Sequence, residues 1–147
     1  MTEISFSLIT AVTAQVSCQI LKTIIYSVKE GRFTIKYGFS AGGFPSSHSA
    51  FVTALVITIG IRNGFLSDIF AVAFVFAAIV IFDAYRLRGA VQKQSEIINK
   101  LLKKMSPEDK EHAPVMVGHT FGEVLSGIII GGLFSTAFTY LYLSIGF

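Results

Sequence analysis

Polar positions divide this chain into four long apolar runs. The first extends from about Ile4 to Val28 and is interrupted only by uncharged polar residues and Lys22. The second covers about Ser47 to Ile61, the third about Leu66 to Ala84 and the fourth about Glu123 to Ile145. A helix that crosses a bilayer needs roughly 20 apolar residues, within a range of about 17–25. The first, third and fourth runs meet that length. The second meets it only if the polar turn at its start is buried in protein or lines a wet cavity, where irregular polar backbone is tolerated.

Between the third and fourth runs lies a long polar stretch, Tyr85 to Gly118. In it Ala90, Val91, Ile97, Ile98, Leu101, Leu102 and Met105 recur at three- and four-residue steps, with Arg88, Lys93, Lys100, Lys103 and Lys104 mainly between them. This spacing predicts a basic amphipathic helix. Such a helix either lies in the interface plane against anionic lipid or packs on the bundle. Pro107 and the run Glu108-Asp109-Lys110-Glu111 should end it in an exposed loop.

Composition strengthens the membrane reading. The 147 residues are 52% hydrophobic and 14% charged, whereas soluble domains carry about a quarter charged residues. The expected fold is all-α, an integral membrane helical bundle of about four spans plus the amphipathic helix, in a single domain over residues 1–147. The first run has no basic stretch before it and reads as a retained span. The lone Cys18 has no internal disulfide partner and reads as a small packing residue.

The net charge of +3 is modest, but its distribution is not even. With four spans, one side holds Lys29, Arg32, Lys36, Arg86, Arg88, Lys93, Lys100, Lys103, Lys104 and Lys110, and the other holds only Arg62. The positive-inside rule then predicts a cytoplasmic basic side and both termini outside. The basic residues follow topology and the aromatics lie in the spans, which argues against nucleic acid as a partner.

The candidate chemistry gathers on that basic side. Phe44-Pro45-Ser46-Ser47-His48-Ser49-Ala50 opens the second run, and Gly118-His119-Thr120-Phe121-Gly122-Glu123 opens the fourth. On a helix, His119 and Glu123 share a face. A carboxylate on one imidazole nitrogen fixes the tautomer and makes the other a better nucleophile or base. The competing reading makes Glu123 a first-turn residue and His119 part of a cap. Similarly, His48 is either a surface residue beside a Ser cap or a general acid, with the Ser46 and Ser47 hydroxyls and turn amides holding phosphate oxygens. Gly42 and Gly43 would let backbone approach a ligand.

Lys22 lies in an apolar run, where a cation either marks function or snorkels to the interface. Asp83 ends the third run and could pair with Lys22 or Arg88, cap a helix, or bind a metal. Arg88 and Lys93 are candidate anion ligands. No HExxH motif, Asp-rich cluster or G-x-S-x-G elbow is present, so neither metal nor cofactor is expected.

Together, Gly42 to Ala50, then Asp83-Ala84 with Arg88 and Lys93-Gln94-Ser95-Glu96, then Gly118-His119-Thr120 with Glu123-Val124, resemble the divergent branch of the type 2 phosphatidic acid phosphatase superfamily. That branch is also called the acid phosphatase/vanadium-dependent haloperoxidase-related family. The resemblance runs from about Gln15 to Gly131. It implies a helical membrane bundle and phosphate-monoester or pyrophosphate chemistry on a lipid or isoprenyl phosphate. It assigns His119 as the nucleophile that forms a phosphohistidine, Glu123 as its orienting carboxylate and His48 as general acid. Lys22, Ser46, Ser47, Arg88 and Lys93 would hold the phosphate, and Asp83 is a structural or site carboxylate.

Several positions depart from the superfamily pattern. Glu123 replaces the usual Asp, Ser47 a glycine, and Ala113 an arginine, and no Arg-Pro pair occurs. A catalytically inactive membrane protein that keeps an anion or lipid head-group pocket is the alternative. The partners this reading allows include a second copy of the chain as a homo-oligomer, which a transporter of only four spans would need.

Overall fold

The chain becomes helical where its apolar runs begin, and the second, third and fourth runs each start with a side-chain cap. A computed structural model describes residues 5–33, 35, 43–105 and 119–145. It contains α1 (Phe6–Glu30), α2 (Ser47–Asn63), α3 (Asp68–Phe82), a π-helical turn (Asp83–Leu87), α4 (Arg88–Met105) and α5 (Phe121–Ser144), with no strand among the described residues. Side-chain oxygens of Ser46, Ser67 and Thr120 accept from the backbone N–H of Ser49, Phe70 and Glu123, satisfying amides that the first turn of a helix leaves unpaired.

Three helical stretches are long and apolar enough to cross a membrane: α1, α3 continuing into α4 as far as Lys104, and α5. The fourth bundle helix, α2, has 17 residues, or about 25 Å at 1.5 Å per residue. Its short length is explained by what precedes it. Pro45, Ser46, Ser47 and Ser49 are buried, so the polar turn starts inside protein rather than in lipid. This is the condition under which the second run can belong to a membrane bundle.

The bundle is apolar outside and small or polar inside. Ala11, Ala14, Cys18, Ala50 and Ala54 are buried with Thr10, Thr58, Ser135 and Thr139, while Phe74, Phe76, Ile79, Ile129 and Leu133 are exposed. In lipid, large side chains lose nothing by facing outward, and small ones let backbones approach. The buried hydroxyls are satisfied locally or across helices: Thr10 donates to Phe6 O at 3.0 Å, and Thr139 to Thr58 Oγ1 at 3.4 Å.

At the centre, α2 packs against α1, α3 and α5. Its closest seam is with α5. A Cβ at Gly127 would collide with the Ser46 carbonyl oxygen and come within 2.9 Å of Ser49 Cβ, and one at Gly131 would collide with the Ala50 carbonyl. Gly127 therefore meets Ser46, Gly131 meets Ala50 and Thr139 meets Thr58, each at the same separation of 81 residues. That constant offset means α2 and α5 run parallel in register, joined by a Gly-x-x-x-Gly face.

On the other side of α2, α3 buries only Ala73 and Ala77, against Val52, Val56 and Ile59. The third run was expected to finish near Asp83, but the backbone does not break there. Asp83–Leu87 forms a π-helical turn that carries the chain into α4. Polarity changes at Asp83, but Gly and Pro are absent until Gly89, so nothing local stops the helix. The main contacts of α4 are with this turn, and its Val91, Ile97, Ile98 and Leu101 are exposed. Pro107 and the Glu108–Glu111 run lie outside the described residues.

Candidate functional site

Two backbone hydrogen bonds gather three separate chain segments at one end of the bundle. The Ser46 N–H donates to the Glu123 carbonyl at 3.0 Å, tying the turn before α2 to the first turn of α5. The His119 N–H donates to the Ala84 carbonyl at 3.3 Å, tying the π-helical turn to the residue before the α5 cap. Tyr85 and Phe121 add an edge-on ring contact with centroids 6.3 Å apart.

Thr120 is the N-cap of α5, and with Glu123 it forms a reciprocal capping box. The Glu123 N–H donates to Thr120 Oγ1 at 3.3 Å, and the Thr120 N–H donates to Glu123 Oε2 at 3.0 Å. That same Oε2 lies 3.1 Å from His119 Nδ1. A carboxylate oxygen in this position can accept from a protonated Nδ1, which would leave the lone pair on Nε2. The cap and the histidine contact thus share one oxygen. The His119 side chain is fully buried and that of Glu123 is 17% exposed.

The His48 ring lies 6.4 Å from that of His119, centroid to centroid, at an interplanar angle of 59°. His48 Nδ1 and His119 Nε2 are both buried. Beneath them, Ser46 Oγ accepts from the Ser49 N–H at 3.3 Å and from the Ser49 hydroxyl at 3.0 Å.

Lys22 enters from α1. It is completely buried and lies within electrostatic range of Glu123. The side chain therefore stands inside the bundle and does not snorkel to the surface. The other sequence candidates are placed differently. Asp83 opens the π-helical turn and is half-buried. Arg88 opens α4, with its side chain outside the described residues. Lys93 is exposed on α4, and no described contact joins it to either histidine. Gly42, Ala113 and Gly118 also lie outside the described residues. Among the described residues, no group of three or more His, Cys, Asp or Glu side chains is arranged to hold a metal ion.

The sequence reading passed over one residue that positions the turn. Tyr26, four residues after Lys22, accepts from the Phe44 N–H through its hydroxyl at 3.1 Å. Gly43 has φ +96°, and a Cβ there would lie 2.9 Å from the Tyr26 hydroxyl. Its backbone conformation favours glycine, and a side chain there would press on the Tyr26 hydroxyl. The Lys22/Tyr26 spacing puts both side chains on one face of α1, but nothing in the sequence pairs Tyr26 with Gly43.

With these residues in place, comparison with known proteins adds a consistent result. The sequence profile of the Divergent PAP2 family matches residues 5–134, a span that includes both histidine motifs and all of α1 to α4. The chain is similar to YuiD of Bacillus subtilis (strain 168), named an uncharacterized membrane protein. The two are 30% identical over 153 aligned residues, covering 95% of this chain and 97% of the relative. No solved structure matches the chain. An all-α membrane bundle with histidine motifs at one end, matched by that profile over most of its length, belongs to the Divergent PAP2 family.

Proposed function

We propose that the protein is a membrane phosphatase that hydrolyses the phosphate or pyrophosphate of a lipid or isoprenyl substrate through a phosphohistidine. The observation that carries this reading is the buried His119 ring held at Nδ1 by Glu123, with the His48 ring 6.4 Å away.

In this scheme the Nε2 lone pair of His119 attacks phosphorus. The bond from phosphorus to the leaving oxygen breaks, and His48 gives that oxygen a proton. Water then attacks the phosphohistidine and loses a proton to His48. The P–N bond breaks, and inorganic phosphate leaves with His119 restored. Glu123 holds the tautomer and balances the imidazolium charge as it develops. Lys22, the turn amides around Ser46 and Ser47, and Arg88 would stabilise the phosphoryl oxygens. Lys93, exposed on α4, would contribute only to the approach of an anionic head group.

Purified protein in detergent should release phosphate from at least one member of a panel of phosphatidic acid, isoprenyl phosphates and isoprenyl diphosphates. His119→Ala should abolish that release and the acid-labile phosphoenzyme. A wild-type protein inert to the whole panel would sink this reading. The second reading, an inactive protein with an anion-binding pocket, draws on the scarcity of cations: Lys22 is the only buried one among the described residues. Head-group binding without turnover, surviving His119→Ala, would establish it.

A further inference from the structure

The end of the bundle remote from the histidines carries its own polar cleft. It lies where α1 begins, α2 ends and α3 begins, and encloses about 340 Å³. Leu8, Leu55, Ile59 and Ile69 form its walls, while Ser5, Arg62 and Asn63 stand at its rim. Each of the three helices contributes an apolar wall residue.

Arg62 is anchored. Its guanidinium carbon sits 5.2 Å from the centroid of the Phe6 ring. Phe6 is in turn stacked on Tyr142 at 3.9 Å and on Phe138 at 5.7 Å. A guanidinium whose face rests on an aromatic ring keeps its N–H edge for other acceptors. That edge suits bidentate contact with a phosphate. Asp68 also lies at this end, in the first turn of α3, where the helix dipole favours a carboxylate.

We propose that this cleft is a binding site for an anionic phospholipid, independent of the histidine site. Arg62 and Asn63 take the head-group phosphate, and the apolar walls take part of an acyl chain. The pairing of a fixed cation with apolar walls drawn from three helices favours a lipid over a free phosphate. Free phosphate gains nothing from Leu8, Leu55, Ile59 or Ile69, whereas an acyl chain does. The level in the membrane fits as well. Arg62 lies near the end of α2 and beside the start of α1, where cationic side chains meet lipid head groups.

The test uses the full chain in detergent with Lys100, Lys103 and Lys104 changed to Gln, which removes competing basic residues from α4. Native mass spectrometry then compares retention of phosphatidylglycerol and phosphatidylcholine with identical chains. Phosphatidylglycerol should be retained preferentially. Arg62→Gln should lower its occupancy about tenfold, the loss expected from one charge-assisted hydrogen bond of about 1.5 kcal/mol. Leu8→Phe, which narrows the cleft but keeps the arginine, should lower retention of both lipids. Millimolar glycerol 3-phosphate should not displace phosphatidylglycerol.

Equal retention of the two lipids, full retention by Arg62→Gln, or displacement by glycerol 3-phosphate would each overturn the proposal. If Arg62→Gln fails to fold, Arg62→Lys and Leu8→Phe decide the matter. Unchanged phosphatidylglycerol retention in either counts against the site, and reduced retention in both supports it.

Discussion

The two sides of α2 are built on opposite rules. Towards α5, Gly127 on Ser46 and Gly131 on Ala50 bring backbone almost onto backbone, and the Thr139 hydroxyl meets that of Thr58. Towards α3, only Ala73 and Ala77 are buried, while Phe74, Val75, Phe76 and Ile79 face outward. At Gly127 and Gly131 the first side allows no added atom. The second can exchange one large apolar residue for another because lipid is its other neighbour. The functional candidates sort the same way. His119, Glu123, Ser46 and His48 hang on the tight seam, whereas Lys93 sits on the rod that continues from α3. A site that must hold two imidazoles at a set distance is therefore built where the backbone has least freedom to shift.

The largest expected effect comes from breaking the seam. Gly127→Val puts a branched side chain into the Ser46 carbonyl and Ser49 Cβ. Overpacking of a tight core costs about 1–3 kcal/mol and occasionally more. This position belongs at the upper end, because the colliding atom is backbone and the same residue anchors the turn. Phe76→Leu on the α3 face should cost under about 1 kcal/mol, since the swap stays apolar and exposed. Thermal unfolding of both variants in the same detergent measures the contrast. Equal losses would mean that the seam does not hold the bundle together.

A middle-sized effect separates the two jobs of Glu123. Thr120→Ala removes half of the capping box and should cost about 1 kcal/mol, leaving the Glu123–His119 contact available. Glu123→Gln does more damage to the proposed chemistry. An amide oxygen can still accept from Nδ1, but it carries no charge to balance an imidazolium. Turnover should fall about 10²-fold or more, in the range of other acid–base losses, with a stability change no larger than that of Thr120→Ala. If both variants lose activity only in proportion to folded protein, Glu123 is a cap and nothing else.

Much of this was legible in the sequence, because bilayer thickness constrains run length. The four apolar runs correspond to α1, α2, α3 and α5, and the predicted amphipathic segment to α4. The deficit in the second run was also legible, since Ser46, Ser47 and Ser49 had to be buried if α2 was to belong to the bundle. Other features were not. The parallel register of α2 and α5 depends on which helix Gly127 and Gly131 meet, and a Gly-x-x-x-Gly face does not name its partner. Continuity from α3 to α4 was hidden because the polarity change at Asp83 resembles an end, although the backbone needs only a π-helical turn to continue. The histidine end was legible as two polar starts on the same side. Tyr26 was not, because its role depends on Gly43, far along the chain, being in a left-handed conformation against it.

The smallest effect tests whether hydrogen bonding or close packing holds the seam at its far end. Thr139 donates to Thr58 at 3.4 Å, a long bond, and both residues are fully buried. Interhelical hydrogen bonds in membranes average about 0.6 kcal/mol, because the separated helices find other partners for the same hydroxyls. Thr139→Ser keeps the hydroxyl and removes a methyl group. Thr139→Val keeps the shape and removes the hydroxyl. If packing dominates, as it does at Gly127 and Gly131, Thr139→Val should cost no more than about 0.6 kcal/mol and Thr139→Ser about 1 kcal/mol, from the buried methyl lost. The reverse order in thermal unfolding would show that the polar pair, rather than shape, fixes this end of the seam. The contrast between the two sides of α2 would then rest on hydrogen bonds as well as on missing side chains.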